Sequence, residues 1–517
     1  MLNLRPGAVT VRTMVVGAAL VTSLAAAGCS GASKASGGAS EGPLVFGISA
    51  DPTQTLPYLS TSTQSLQVLG QIYSTLLNTG PDLQPTAGLA DLPKISDDGL
   101  TYTFTLKKDL KFGNGSALDS TDVKHTFDTI MDPATKATSA SYFGSVKSVA
   151  APDPQTVVVT LKAPDASFVS ALSNVNTSIV PSDVPAESLT TKPVGSGPYL
   201  FESRTPNQSI TLKANPGYYQ GKPGLPGVQF RIIADEKAMV SALRSGAVDM
   251  AVFDNSVTAK TATASNVKVA TVDQLNFHVL QLRADAPVLK DVEVRLAISC
   301  AIDRKQVLDT AALGAGKVTG PITSPAYRSD PESRPCPQRD VAKAREHLAK
   351  AGKSGGLSFT MITSQGLYST AVNEAQNIQA QLKEVGITVK LETLDSNAYV
   401  QRWLAGDFDA AIALNGGSTD PNTMYARYFT STGSFNKVAG YRSATLDKLF
   451  AEGKATTDTA KRKEIYAKVS QELEDNAAWV WTYTGNLYIA TSSAVKGFEP
   501  RTNGDLSTLW KTTMSAA

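Results

Sequence analysis

The stretch from Leu357 to Thr393 most constrains the fold, because it predicts two strands joined by one helix. Its ends, 357–363 and 387–393, are rich in β-branched residues. Between them, apolar residues recur at helical spacing from Ala375 to Val385, and Gly386 ends the pattern. Parallel strands connected in this way need helices on both faces of their sheet. The sequence therefore predicts a mixed α/β fold.

Strand and helix patterns also alternate along the rest of the chain. The clearest predicted strands are 101–106, 156–161, 209–212 and 228–233, and the clearest predicted helices lie around 66–76 and over 458–475. A chain of 517 residues is too long for one ordinary core, so we expect two or three domains. The 48 Lys and Arg residues are balanced by 46 Asp and Glu residues, which gives no basic footprint for nucleic acid.

The amino terminus has the pattern of a secretory signal. Arg5 and Arg12 precede an apolar run, Met14–Ala27, that is too short to cross a bilayer. Cys29 follows Ala-Gly and resembles the lipobox of bacterial lipoproteins, which implies cleavage behind Gly28 and acylation of Cys29. The alternative is an ordinary signal with Cys29 incidental. Residues 1–28 are thus a predicted lipoprotein signal peptide, and the Gly-, Ser- and Ala-rich residues 29–42 a flexible tether.

The other two of the three cysteines, Cys300 and Cys336, are candidates for one disulfide in an exported protein. The alternative is that Cys300, which lies one helical turn after Leu296, is a buried thiol.

The sequence gives no support for catalysis. His125, His278 and His347 have no metal-ligand spacing. The GKS at 352–354 lacks the first glycine of a phosphate loop, because His347 stands in its place. Ser196 lacks the second glycine of a nucleophile elbow. We therefore expect no enzyme, no cofactor and no metal.

Seven segments, in order, resemble the family 5 solute-binding proteins of ABC importers, which include the oligopeptide-, dipeptide- and nickel-binding proteins. They are Phe112–Pro133, Pro193–Phe201, Asn215–Ile233, Ser245–Val252, Asp291–Asp309, Ala344–Gly352 and Tyr441–Gly453. Most of these residues also have structural explanations, such as a helix cap at Asp119 or Ser120 and another at Asp303. They identify the fold and say little about the ligand.

The resemblance implies an α/β, two-lobe clamp of the type II periplasmic-binding-protein kind, with an extra subdomain in the first lobe. It implies lobe I at 43–82, 186–272 and 485–517, the extra subdomain at 83–185, and lobe II at 273–484. The expected protein is a monomer anchored by lipid to the outer face of the cytoplasmic membrane, which delivers its ligand to ABC permease subunits. Peptides are the default cargo, and an oligosaccharide or metal chelate is the alternative. A secreted hydrolase is the alternative from another class.

One loop bears on whether the ligand is a peptide with a free amino terminus. In the dipeptide and oligopeptide binders, a W-x-x-D stretch after a Phe-Asp strand supplies the aspartate that pairs with the amino terminus of the peptide. Here Asn415 stands at the tryptophan position, and Ser418 or a gap at the aspartate position. Asp420 is the candidate replacement, because a carboxylate pairs well with an ammonium. Alternatively Asp420 caps a helix that begins with Pro421, and we favour this cap.

Further ligand-site candidates come from loops that the family uses for contact and from aromatic patterns. Trp479, Trp481 and Tyr483 alternate, which predicts three aromatics on one face of a strand. Each candidate has the alternative of a place in the core. The residues expected at the ligand site are Thr55, Leu56, Tyr58, Arg283, Tyr399, Trp403, Asn415, Gly416, Gly417, Asp420, Trp481 and Tyr483.

Overall fold

The computed structural model describes residues 42–52 and 54–515. The expected signal peptide, the lipidation site Cys29 and all of the expected tether except residue 42 lie outside this range. Within it, no helix is both long enough and apolar enough to cross a membrane. The chain forms the mixed α/β fold that the sequence predicts.

One mixed sheet of 11 strands runs through the molecule. From one edge to the other, its strands are Ile387–Asp395, Leu357–Gln365, Ala410–Asn415, Val267–Leu282, Trp479–Ser492, Met250–Phe253, Leu44–Ile48, Gly227–Ile232, Ser209–Ala214 and Tyr199–Thr205, and Gly316–Val318 pairs with Trp479–Ser492 off this path. The predicted strand, helix and strand of 357–393 are present, and the two strands pair in parallel from Leu357 with Ile387 to Gln365 with Asp395. This prediction is confirmed.

Two long strands, Val267–Leu282 and Trp479–Ser492, join the two halves of the sheet. Near one end, Trp479–Ser492 pairs with Met250–Phe253 of the expected lobe I, here called the first lobe. At the other end, Val267–Leu282 pairs with Ala410–Asn415 of the expected lobe II, here called the second lobe. The register between the two long strands shifts between Asp273 and Phe277. This β-bulge lies beside the positions where the sequence places the lobe boundaries, and such an irregularity bends a strand locally.

Helices cover both faces of the sheet. The described α-helices are Thr63–Ile72, Ser120–Met131, Ser167–Ala171, Ala186–Thr191, Glu236–Ser245, Ser256–Ala262, Val292–Ala301, Arg304–Ala311, Val341–Lys350, Ala371–Lys383, Ser396–Ala405, Pro421–Phe429, Asn436–Ala439, Ala444–Ala455 and Thr459–Asp475. Polar caps start many of them. Asp119 forms a capping box with Asp122, and Asp303 accepts a hydrogen bond from the backbone nitrogen of Gln306 at 2.9 Å.

A separate antiparallel sheet belongs to the region expected as the extra subdomain. Its strands, in spatial order, are Lys94–Ile95, Thr101–Thr105, Thr156–Leu161 and Val146–Asp153. Helix Ser120–Met131 buries Val123, Phe127 and Ile130 in the same apolar core that contains Phe46 and Phe230 of the first lobe. This region is therefore packed firmly onto the first lobe.

Two apolar clusters stabilise the second lobe on opposite faces of its sheet. One contains Ile378, Leu382 and the disulfide between Cys300 and Cys336, whose Cα atoms lie 5.1 Å apart. The other contains Trp479 and Trp481.

Candidate functional site

The β-bulge between the long strands shapes the centre of the molecule. Its residues, 274–276, lie against the loop after strand Ala410–Asn415, where the backbone nitrogen of Gly417 donates to Oδ1 of Asn276 at 3.2 Å. A Cβ atom on Gly417 would lie 2.2 Å from the carbonyl oxygen of Leu275. Only glycine permits this approach, so Gly417 holds the loop of the second lobe against the bulge.

A cavity of about 1000 Å³ lies beside the bulge. Most of its wall comes from the expected lobe I and from the expected extra subdomain, which contributes Tyr142, residues 173–176 and Ser178 among others, while Gln274, Asn276 and Thr419 come from the expected lobe II. Side-chain amides recur in the wall, as the following residues show: Gln64, Gln67, Asn78, Asn174, Gln274 and Asn276. Amides and hydroxyls both donate and accept hydrogen bonds, so this wall suits a ligand with polar groups of both kinds.

Aromatic side chains form another part of the wall. The rings of Tyr218 and Trp510 meet edge to face with centroids 5.6 Å apart. Burial, together with the neighbouring Tyr219, raises the pKa of Tyr218, so its hydroxyl is neutral at physiological pH. Aromatic faces next to hydrogen-bonding groups are common in small-molecule and peptide sites.

Several charged residues of the wall already have partners. Glu236 accepts a hydrogen bond from Oγ1 of Thr258 at 2.7 Å. Asp505 accepts from the backbone nitrogen of Ser507 at 2.6 Å. Arg501 donates to the carbonyl oxygen of Thr79 at 3.1 Å. These groups are used in holding the wall, whose remaining surface consists of amides, hydroxyls, aromatic rings and the charged residues Asp254 and Lys511.

Three buried polar atoms in the wall have no protein partner. They are the Tyr73 hydroxyl, Ser178 Oγ and Asn176 Oδ1. Tyr73 is 2 % exposed and Ser178 is 1 % exposed. Burying such a group unpaired costs about 1–3 kcal/mol. Residue 73 belongs to the helix predicted around 66–76, but the helix ends at Ile72, and Tyr73 follows it as the C-cap.

None of the residues expected at the ligand site, all of which the structure describes, lines this cavity. Tyr399 is buried, and its hydroxyl donates to the carbonyl oxygen of Ile412 at 2.7 Å. Nε1 of Trp403 donates to Oε1 of Gln281 at 2.6 Å. Both side chains are therefore engaged inside the second lobe, so the structure corrects the cleft interpretation of this pair.

The alternating aromatics correct a second expectation. Trp479 and Trp481 pack in one core cluster of the second lobe, whereas Tyr483 packs in the cluster on the opposite face. The cause is a register shift, because His278 pairs with Tyr483 while Val279 pairs with Trp481. One extra residue in the strand reverses the side of every later side chain. The prediction of three aromatics on one face is wrong, and Trp481 and Tyr483 are fully buried.

Tyr483 belongs to a buried polar network. Its hydroxyl donates to Oε1 of Glu374 at 2.7 Å, and its ring stacks on His278 with centroids 4.1 Å apart. Nδ1 of His278 lies 2.8 Å from the same Glu374 oxygen. Burial acts to raise the pKa of Glu374, but His278 and hydrogen bonds from Thr370 and Tyr483 together hold it below its ordinary value. This network stabilises the second lobe.

Asp420 is a structural residue in this fold. It is 2 % exposed, and its Oδ2 accepts from Nη2 of Arg462 at 2.8 Å. Its Oδ1 accepts from the backbone nitrogen of Asn422 at 2.9 Å, which caps helix Pro421–Phe429. Both carboxylate oxygens therefore have partners inside the second lobe. The cap that the sequence favoured is present, and the structure gives no support to the amine anchor.

The remaining candidates lie outside the cavity wall. Leu56 and Tyr58 are buried, and Oγ1 of Thr55 donates to the carbonyl oxygen of Thr190 at 2.9 Å. Nε of Arg283 lies 3.2 Å from Oδ1 of Asp285. Oδ1 of Asn415 accepts from Nε2 of Gln281 at 3.3 Å. Gly416 is exposed, with open space where a Cβ would lie.

Comparison with known proteins agrees with this fold. Residues 84–436 match the family model described as the middle of the bacterial extracellular solute-binding proteins, family 5. The chain belongs to this family. The resemblance inferred from the seven segments is thereby confirmed, as is the clamp-like fold class. The oligopeptide-binding protein AppA of Bacillus subtilis is 28 % identical over 534 aligned residues, which cover 95 % of this chain and 97 % of AppA.

Solved structures give the same result. The ABC transporter substrate-binding protein CtaP of Listeria monocytogenes has a TM-score of 0.82 at 26 % identity, with 92 % of this chain and 99 % of CtaP covered. The periplasmic binding protein DppA of Helicobacter pylori, in complex with the peptide STSA, has a TM-score of 0.73 at 26 % identity, with 92 % and 98 % covered. The family consists of transport-associated extracellular binding proteins.

Proposed function

We propose that this chain is the peptide-binding component of an ABC importer, which captures a peptide in the cavity beside the β-bulge and delivers it to a membrane permease. The observation that carries the proposal is the wall of that cavity. Its amides and hydroxyls match the alternating donors and acceptors of a peptide backbone, and Tyr218 and Trp510 offer aromatic contact to side chains. AppA and DppA, which are similar to this chain, bear peptide-binding names or hold a peptide.

The surroundings of the histidines support binding without catalysis. His278 and His347 lie next to carboxylates, with Nδ1 of each 2.8 Å and 2.7 Å from Glu374 and Glu293 respectively. His125 is exposed on helix Ser120–Met131. None of the three lines the cavity. Histidine is the usual general base in acid–base catalysis, and the three histidines of this chain lie outside the cavity wall.

Thermal unfolding in the presence of defined peptide pools tests the proposal. A protein that binds only in its folded state gains about 2.7 kcal/mol at 100 times the dissociation constant, so a bound pool raises the melting temperature. Native mass spectrometry of the same samples then identifies the peptide and its integrity. We expect an intact bound peptide. A cleaved peptide would favour the hydrolase, and a shift with oligosaccharides alone would replace peptide as the cargo.

We extend the proposal to a lipid anchor on Cys29. A tethered binder stays near its permease, which raises its effective concentration there without new contacts. We expect the wild-type protein in the membrane fraction and the Cys29→Ser variant in the medium or periplasm. If the two proteins are found in the same fractions, the lipid-anchor proposal is wrong, whereas the peptide-binding proposal is unaffected.

A further inference from the structure

One edge of the large sheet contributes to the cavity wall. Three strands of the first lobe run parallel to one another and end at this edge: Leu44–Ile48, Gly227–Ile232 and Met250–Phe253. The residue that directly follows each of them lines the cavity, namely Ser49, Ile233 and Asp254. In open α/β sheets, ligands bind outside the carboxyl ends of parallel strands. This edge is therefore where we expect the first lobe to contact a ligand.

Asp254 lies on the side of this edge that is nearer to the β-bulge. Phe253 pairs with Tyr488 in the neighbouring long strand, so the antiparallel register places Asp254 next to Leu487. Leu487 in turn pairs with Val272, two residues before the bulge. Because neighbouring strands lie close together, Asp254 is roughly 10 Å from the bulge across the sheet. It therefore belongs to the part of the wall where the first lobe meets the bulge.

The acidic side chains of the wall differ in their partners. Among the described residues they are Glu236, Asp254 and Asp505. Glu236 accepts from Thr258, and Asp505 uses both oxygens, accepting from the backbone nitrogen of Ser507 at 2.6 Å and from its Oγ at 2.9 Å. Asp254 is exposed, and no group in the described part of the chain bonds to its carboxylate. Asp254 is thus the acidic group that is free to receive a ligand.

The chemistry of Asp254 favours a cationic partner. An ionised carboxylate only accepts hydrogen bonds, and its strongest partners are cationic donors. The amides and hydroxyls of the wall carry no charge that could balance a cation. An exposed ion pair in water contributes little, but a ligand that fills the cavity displaces water around Asp254 and strengthens the attraction. An ammonium group, with three N–H donors, meets these conditions.

We propose that Asp254 pairs with an ammonium group of the bound peptide. A peptide carries this group at its amino terminus and on lysine side chains. The inference rests on the proposed function, because it specifies one contact of the peptide that the cavity captures. It places that contact at the sheet edge of the first lobe. Asp420, the candidate from the sequence, is instead bonded to Arg462 in the second lobe.

The test compares three synthetic tetrapeptide pools: a lysine-free pool with free amino termini, the same pool acetylated at the amino terminus, and an acetylated pool with one lysine per peptide. The concentration dependence of the melting temperature gives an apparent dissociation constant for each pool. We expect wild-type protein to bind at least one amine-containing pool about tenfold or more tightly than the acetylated lysine-free pool, which corresponds to about 1.4 kcal/mol. Asp254→Asn should reduce that preference to less than about threefold.

The pools also distinguish the two sources of the ammonium group. A preference for the free amino terminus that depends on Asp254 identifies the terminus as the partner. A preference for the acetylated lysine pool that depends on Asp254 identifies a lysine side chain. Both results support the pairing. Because Asp254 is exposed and unpaired, Asp254→Asn should melt at the wild-type temperature without peptide, which separates lost binding from lost folding.

A matched variant controls for the change in net charge. Asp97 is exposed and lies outside the cavity wall, so Asp97→Asn should keep the full preference for the amine-containing pool. If peptides bind but Asp254→Asn also keeps the preference, or if Glu236→Gln removes it in place of Asp254→Asn, the pairing with Asp254 is overturned and the proposed function stands. If no pool binds the wild-type protein, both are overturned.

Discussion

Tyr73 and Tyr483 are equally buried, but they serve different regions of the molecule. The Tyr483 hydroxyl donates to Glu374 inside the second lobe, where its ring also stacks on His278. The Tyr73 hydroxyl has no protein partner, and Tyr73 belongs to the cavity wall. Burial alone therefore does not say how a polar side chain is used. The two tyrosines differ in whether the hydroxyl is satisfied within the fold.

The comparison extends to further residues of the two regions. In the second lobe, the polar ends of Asp420, Tyr399 and Tyr483 are bonded to neighbouring groups. In the cavity wall, the Tyr73 hydroxyl and Ser178 Oγ have no protein partner. A substitution in the first region should therefore change stability, and one in the second should change binding.

The largest expected effect is that of Asp420→Ala. The variant leaves the buried guanidinium of Arg462 without its carboxylate, which should lower the free energy of unfolding by about 3–5 kcal/mol. Urea denaturation measures the change. The exposed pair of Lys305 and Asp309 supplies the control, because Asp309→Ala should cost less than about 1 kcal/mol. Unchanged stability together with lost peptide binding would restore Asp420 as an amine anchor and break the comparison.

The next effect contrasts the two tyrosines directly. Tyr483→Phe removes a hydrogen bond to a buried carboxylate and should cost about 1.5–3 kcal/mol of unfolding free energy. Tyr73→Phe removes a hydroxyl that has no protein partner, so the ligand-free protein should be equally stable or more stable. Urea denaturation without peptide compares both variants with the wild type. Equal losses for the two would show that the Tyr73 hydroxyl is satisfied within the fold.

A smaller effect concerns pH. The pKa of Glu374 is lowered in the folded protein, so its charge adds stability that is present above the pKa of an unfolded glutamate, about 4.3, and is lost as pH falls through the folded pKa. Glu374→Gln keeps an acceptor for Tyr483 but removes the charge. We expect the wild type to be more stable at pH 7 and the difference to shrink below about pH 4.3. A stability difference that does not vary with pH would show that the charge of Glu374 does not stabilise the folded protein.

Much of the fold could be predicted from local patterns. The alternation in 156–161 matches strand Thr156–Leu161, and Asp458 caps helix Thr459–Asp475 as the pattern of 458–475 implies. These features depend on side-chain periodicity and on a cap within one turn, which are both local. The strand after Trp479 could not be placed in this way. Its single extra residue depends on pairing with a strand some 200 residues earlier in the chain.

The candidate site was less predictable for a related reason. Asp420 could be assigned as a cap because Pro421 is adjacent, but its Arg462 partner comes from a distant helix. Tyr73 fits an apolar helix face in sequence, and only the folded structure shows that its hydroxyl lacks a protein partner. Satisfaction of a polar atom is a property of tertiary contacts, which spacing in one segment does not report.

A crystal structure of the protein with a bound peptide tests the central claim most directly. The account predicts peptide density in the cavity beside the bulge at 274–276, in contact with Tyr218 or Trp510 of its wall. Peptide density that instead contacts Trp481, Tyr483 or Asp420, with the cavity wall uncontacted, would contradict it.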